Sequence, residues 1–170
     1  PSAPPAHSQP SPRVEVKRRT TDEHDRRLAD AFEACQDLLF LSSAIESVEF
    51  VGSLLEQLVP SDSLTACLYD IDANVLRVVL VRGGDATHRG SEIATGQGLL
   101  GSAVSRSKAE PIDSVANDPR FDQSVDTPGG TGSNALLLPI QHEGRFLAAL
   151  LLRGRKDRAV FSVGDADLAT

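Results

Sequence analysis

Tryptophan and methionine are absent from this 170-residue chain, and aromatic residues make up only 4% of it, six Phe and one Tyr. So few rings disfavour a stacking platform for nucleic-acid bases, and a core has to be assembled from Leu, Val, Ala and Ile. An excess of positive charge is missing too: 17 Lys and Arg stand against 24 Asp and Glu, for a formal charge of −7. Neutralising phosphates requires a basic face, so nucleic acid is not an expected partner. No apolar run reaches the roughly 18–20 residues of a membrane span, and the start lacks a charged-then-apolar signal pattern. A cytoplasmic protein without a membrane partner is expected. Cysteine is limited to Cys35 and Cys67, in different predicted elements, with no C-x-x-C and no neighbouring His. Two reduced, buried thiols fit this better than a disulfide or a metal site. His7, His24, His88 and His142 are scattered through the start of the chain and two loops, with no H-E-x-x-H pattern. No metal, cofactor or nucleophile–base pair is therefore predicted.

What the chain does contain changes along its length. Residues 1–19 hold five prolines in the first twelve positions and no apolar periodicity. They read as an extended tether rather than a ligand for an SH3-type partner, and Lys17, Arg18 and Arg19 as solvated charge. A start at Pro, and a last helix cut short at Thr170, suggest a piece of a longer protein. From Thr20 to Glu46 the spacing predicts a leading amphipathic helix. Thr21 is its cap, Asp22 and Glu23 lie in its first turn, and Leu28, Ala31, Phe32, Cys35, Leu38 and Leu39 form one stripe. The stripe must be buried, either on the sheet of its own domain or against a second copy.

A second helix is predicted from a Ser47 cap to Pro60, then a hairpin over Leu64–Arg82 about an Asp70–Asn74 turn. A short strand at Ser91–Ala94 precedes GQGLLGSAV, where Gly96, Gly98 and Gly101 open a helix whose Leu99, Leu100, Ala103 and Val104 face inward. These glycines have dinucleotide-motif spacing, but no parallel strand precedes them and no acidic residue about 20 positions on closes a second strand, so that function is set aside. A strand at Pro111–Asp113 leads into SVANDPRF, where Asp118-Pro119 forces a turn. In Asp126–Ser133, Pro128, Gly129, Gly130 and Gly132 disfavour a helix, no Lys follows to make a P-loop, and a mobile flap, or a loop over a pocket too reduced to hold a nucleotide, is expected. Asn134–Ile140 and Phe146–Arg153 are strands apolar on both faces and belong centrally in a sheet, His142 lies in their exposed turn, and a last helix begins at Ser162 or Gly164.

Three segments in this order, ACLYDIDANVLRVVLVRGG, GQGLLGSAV and ANDPRF, resemble a GAF domain, the small-molecule-sensing module of many signalling proteins. The resemblance spans residues 47–170, and the Asn117-Asp118-Pro119-Arg120-Phe121 turn is its most specific part. It implies an α/β (α+β), GAF/profilin-like fold with about six mainly antiparallel strands and helices on both faces. It also implies a small-molecule ligand, a homodimer through the leading helix at Leu28, Phe32, Cys35 and Leu39, and output or partner domains in a longer chain. The ligand hollow would draw on Cys67, Tyr69, Gly98, Asn117, Asp118, Arg120, Phe121, Asp126 and Asn134. The turn also has a purely structural explanation, in which Phe121 plugs the core, Arg120 pairs with a carboxylate and Asn117 holds the turn by side-chain hydrogen bonds.

Departures from the family narrow the function. Cyclic-nucleotide-binding members carry Asn-Lys, then Phe and Asp-Glu, where this chain has Arg153-Gly154, Phe161, Asp165 and Ala166. Free methionine sulfoxide reductases need several clustered cysteines, and tetrapyrrole binders need a Cys or His late in the domain, where only His142 occurs. The expected function is thus a non-catalytic sensory and regulatory module without a cofactor. The alternative is a ligand-free interaction or dimerisation module whose hollow has filled with Leu and Phe.

Overall fold

The computed structural model describes residues 43–156 and 160–169. The Pro-rich stretch and the predicted seam of Leu28, Phe32, Cys35 and Leu39 lie outside these residues. Helix α1 spans Ala44–Leu58, and its cap is Ser43 rather than Ser47: Ser43 Oγ accepts the Glu46 N–H at 3.1 Å. Ser47 sits inside the first turn and returns its hydroxyl to the Ser43 carbonyl at 3.1 Å. Ser43 is the serine that has a Glu three residues on, the spacing that favours a capping position. Pro60 ends the helix, as expected, and β1 starts directly after it.

Strands β1 (Ser61–Asp70) and β2 (Val75–Arg82) form the expected hairpin. Its turn is held by Asp70 Oδ1, which accepts the Asp72 and Ala73 N–H groups at 3.1 and 3.0 Å, and by Asn74 at a φ of 55°. Asparagine tolerates that left-handed backbone better than most residues. Then follow β3 (Glu92–Ala94), α2 (Gly98–Ser102), β4 (Glu110–Ile112), α3 (Gln123–Asp126), β5 (Ala135–His142), β6 (Arg145–Arg155) and α4 (Val163–Leu168). The six strands make one antiparallel sheet in the order β3-β2-β1-β6-β5-β4.

Strand alternation divides the core in two. One face carries Leu64, Ala66, Leu136, Leu138, Leu150 and Leu152 under α1 and α4, with Val48, Leu55, Phe161 and Ala166 closing it. The other carries Cys67, Leu76, Val78, Leu137 and Leu151 under Leu99 and Leu100 of α2, Val115 and Val125. Each buried Leu or Val contributes roughly 1.5–3 kcal/mol relative to exposure, so β1, β5 and β6, which are apolar on both sides, hold the layers together. Among the described residues no helix is long and apolar enough to cross a membrane.

Candidate functional site

The α2 face runs from an aromatic end through an apolar middle to a polar end. At the first, the half-buried Tyr69 meets Phe146 edge to face, with ring centroids 5.5 Å apart, and donates its hydroxyl to Asn74 Oδ1 at 2.8 Å. In the middle the Cys67 thiol is fully buried, and burial pushes its pKa up to about 12. At the polar end Ser63 and Thr65 of β1 face the same side as Arg153, which pairs in register with Ser63. The segment Asp126–Ser133 lies over them.

Of the two expectations for that segment, a mobile flap or a covering loop, the structure has a fastened loop. A single helical turn, α3, precedes it, and buried Arg153 reaches into the irregular part. Its Nη1 donates to the carbonyls of Asp126 at 2.8 Å and of Gly130, and its Nη2 and Nε donate to that of Gly132 at 2.8 and 3.2 Å. Thr65 Oγ1 donates to the Gly129 carbonyl at 3.0 Å, and the Asp85 N–H to that of Pro128 at 2.9 Å. The glycines allow this: a Cβ at Gly130 would overlap the Ser63 hydroxyl, and one at Gly84 would lie 2.7 Å from the Gly129 carbonyl oxygen. Burial pulls the Arg153 pKa below its ordinary value while the neighbouring Asp126 acts the other way; the guanidinium stays charged.

Asp126 ties α3 to α2. Its two carboxylate oxygens both accept the Leu99 N–H at 3.1 Å, and Oδ2 also accepts the Asp122 N–H at 2.8 Å. Burial raises its pKa, against the lowering effect of these bonds and of Arg153. Gly98, at a φ of 64°, gives the carboxylate its room, because a Cβ there would come within 2.9 Å of both oxygens. Among the described residues no three His, Cys, Asp or Glu side chains are grouped to hold a metal ion.

No protein-family model matches the chain, and no curated protein matches its sequence. Solved structures do. The GAF domain of a phosphoenolpyruvate-protein phosphotransferase from Coxiella burnetii superposes with a TM-score of 0.71 at 15% identity, over 85% of this chain and 84% of that one. The corresponding Acinetobacter domain gives 0.69 at 14%, over 86% and 85%. A free methionine-R-sulfoxide reductase from Neisseria meningitidis, in complex with its substrate, gives 0.61 at 17%, over 96% and 89%. The chain has the GAF fold.

Within this GAF fold the predicted residues part company. Cys67, Tyr69, Gly98, Phe121 and Asp126 all lie on the α2 face, with Phe121 packed against its core. Asp118 and Arg120 form an ion-pair cluster with Glu110: Arg120 Nε and Nη2 reach Asp118 at 2.8 and 2.6 Å, and Nη1 and Nη2 reach Glu110 at 2.8 and 3.0 Å. The Arg120 guanidinium holds the Asp118 carboxyl below its ordinary value. Asn117 is exposed and does not hold the turn; the Arg120 N–H donates to Asp118 Oδ1 at 2.9 Å and does so instead. Asn134 is buried at the start of β5, its Oδ1 accepting the Arg155 N–H at 3.0 Å.

Two features escaped the sequence. Arg153 belongs to the Gly-rich segment; Arg155 is the residue that reaches Asp165, at 3.2 Å with both side chains 3% exposed, and it lies 6.0 Å from the centre of the Phe161 ring. Placing the family's basic position one residue later, after Gly154, would have found that pair. Arg153 had a signal of its own, since strand alternation from Leu151 puts it on the α2 face.

Proposed function

We propose that this GAF module is non-catalytic and regulatory, reading a small molecule on its α2 face for partner or output domains of a longer signalling protein. The observation that carries it is the group of buried polar side chains under a glycine-rich cover, Arg153, Asp126, Thr65 and Ser63, at one end of an otherwise apolar face. Ligand sites combine an apolar lining with a few convergent polar groups in this way. Because a reductase shares the fold, catalysis has to be weighed, and Cys67 argues against it. A sealed thiol with its pKa pushed up to about 12 is not the thiolate such chemistry requires. Thermal-shift screening against a metabolite collection, together with a native mass spectrum, tests the proposal. A retained mass or a saturable shift supports sensing; neither, or turnover of free methionine sulfoxide with a thiol reductant, contradicts it.

A second function is favoured by a different observation. The middle of the α2 face is filled by Leu99, Leu100, Leu137 and Leu151, while a groove of about 500 Å³ opens on the opposite side, lined by Ser47, Val48, Val51, Leu68, Ile140 and Leu147. A pairing module with a filled hollow would present such a surface to a second copy. In that case Leu147→Asp, and Leu28→Asp in the leading segment, lower the sedimentation mass; an unchanged mass for both removes this alternative.

A further inference from the structure

The polar end of the α2 face contains a charge and a hydroxyl that the fold does not fully employ. Arg153 is buried, and among the described residues its hydrogen-bond partners are backbone carbonyls, with no carboxylate in its fork. The nearby Asp126 carboxylate turns to the Leu99 and Asp122 N–H groups instead. Those four bonds leave one Nη2 hydrogen of the guanidinium over. Beside Arg153 in the sheet register, Ser63 is 2% exposed and, among the described residues, its Oγ has no partner. A buried donor without an acceptor carries a free-energy cost, and a native structure rarely keeps one without a reason. Both groups lie under a segment whose backbone is rich in glycine and held by side chains rather than by strand pairing.

We propose that this end is a closed binding site for a small oxyanion of carboxylate or nitrate size, with Gly129–Gly132 as its cover. In the closed state the carbonyls of Gly130 and Gly132 occupy the Arg153 fork as neutral stand-ins for the anion. An arriving oxyanion takes their place in a bidentate, charge-assisted pair, accepts the Ser63 hydroxyl, and releases the cover. Charge-assisted bonds are roughly twice as strong as neutral ones, and the anion supplies the negative charge that the carbonyls lack. Arg153 and Ser63 are direct cross-strand partners, so a single small anion reaches both. Release of Pro128 also frees the Asp85 N–H, so occupancy would be passed on to the loop that follows β2. This inference rests on the sensory function proposed above and specifies its ligand class.

The test uses the 170-residue chain with sodium acetate and sodium nitrate as probes, sodium chloride at equal ionic strength as the control, and sodium sulfate as a larger anion. Melting temperature and amide exchange are measured together. One of the two probes is expected to raise the melting temperature saturably above chloride and to speed exchange at Asp85 and Gly130. Ser63→Ala removes a hydroxyl without a partner, so it should fold with unchanged or higher stability yet bind several-fold more weakly. Arg153→Lys, which keeps the charge and loses the fork, should abolish the response. Equal responses to acetate, nitrate and chloride, or an undiminished response in Ser63→Ala, would overturn the oxyanion site. If another small molecule is retained in the native mass spectrum while no anion acts, sensing survives and this site falls; if nothing is retained and no anion acts, both fall.

Discussion

The two faces of the sheet are built from the same strands and sealed in different ways. Under α1 and α4 the contacts are Leu on Leu and Val, from Leu64, Leu136, Leu138, Leu150 and Leu152 outward to Val48, Leu55 and Phe161. Under α2 and α3 the apolar cluster ends where Ser63, Thr65, Asp126 and Arg153 begin, and the cover there is a loop held by five side-chain bonds. Apolar packing has no substitute in water, whereas a carbonyl that leaves a guanidinium can be solvated at once. The first face is therefore expected to behave as permanent structure, and only the polar end of the second to open without unfolding the domain.

Substitutions that separate the faces sharpen this contrast. The largest effect is expected for Leu136→Ala, which leaves a cavity on the α1 side; it should cost about 2–5 kcal/mol in urea unfolding, with an unchanged m-value. Arg153→Met strips the carbonyls of Asp126, Gly130 and Gly132 of their donor. Because the loop can turn to water, the loss should be smaller, about 1–3 kcal/mol, and should coincide with fast proteolytic cleavage between residues 126 and 133. A loss as large as that of Leu136→Ala would mean that the two faces are equally structural.

Titration distinguishes two carboxylates. Burial raises the Asp126 pKa above its ordinary 3.8, so the folded state holds that proton more tightly than the unfolded chain. Its contribution to stability is full below about pH 4 and is lost as pH rises through the raised folded value. Asp126→Asn removes this loss, and its midpoint in urea should gain on wild type as pH rises above about 4; parallel curves would contradict the assignment. Asp118, held low by Arg120, works in the opposite sense, contributing above 3.8 and losing its contribution as pH falls through its lowered value. The smallest effect is expected for Ile71→Ser at the 75% exposed tip of the β1–β2 turn, within about 0.5 kcal/mol.

Much of the fold was legible because the local signals were strong. The doubly apolar runs placed β5 and β6 inside the sheet, Pro60 ended α1, and Asn74 made the hairpin turn. Phe121 and Arg120 took the structural roles that the ANDPRF turn allowed them. The misses were short-range competitions between similar residues or long-range contacts. Ser43 and Ser47 both look like caps, and only the Glu at 46 favours the first. A four-residue helix such as α3 is too brief for periodicity to reveal. Arg153 at the end of an apolar strand resembles a polar terminus, since its partners are loop carbonyls more than 20 positions away whose acceptance leaves no mark on residue type. For the same reason the sequence left a mobile flap and a covering loop both open for Asp126–Ser133.

The most direct test of the difference between the faces is native-state hydrogen exchange without added ligand. The amides of Asp85 and Gly130, bonded to Pro128 and Thr127, should exchange by local opening, with protection about a hundredfold below that of Leu136–Leu138 in β5. Equal protection in the two groups would show that the cover parts only when the whole domain unfolds, and the idea of a face that opens would be wrong.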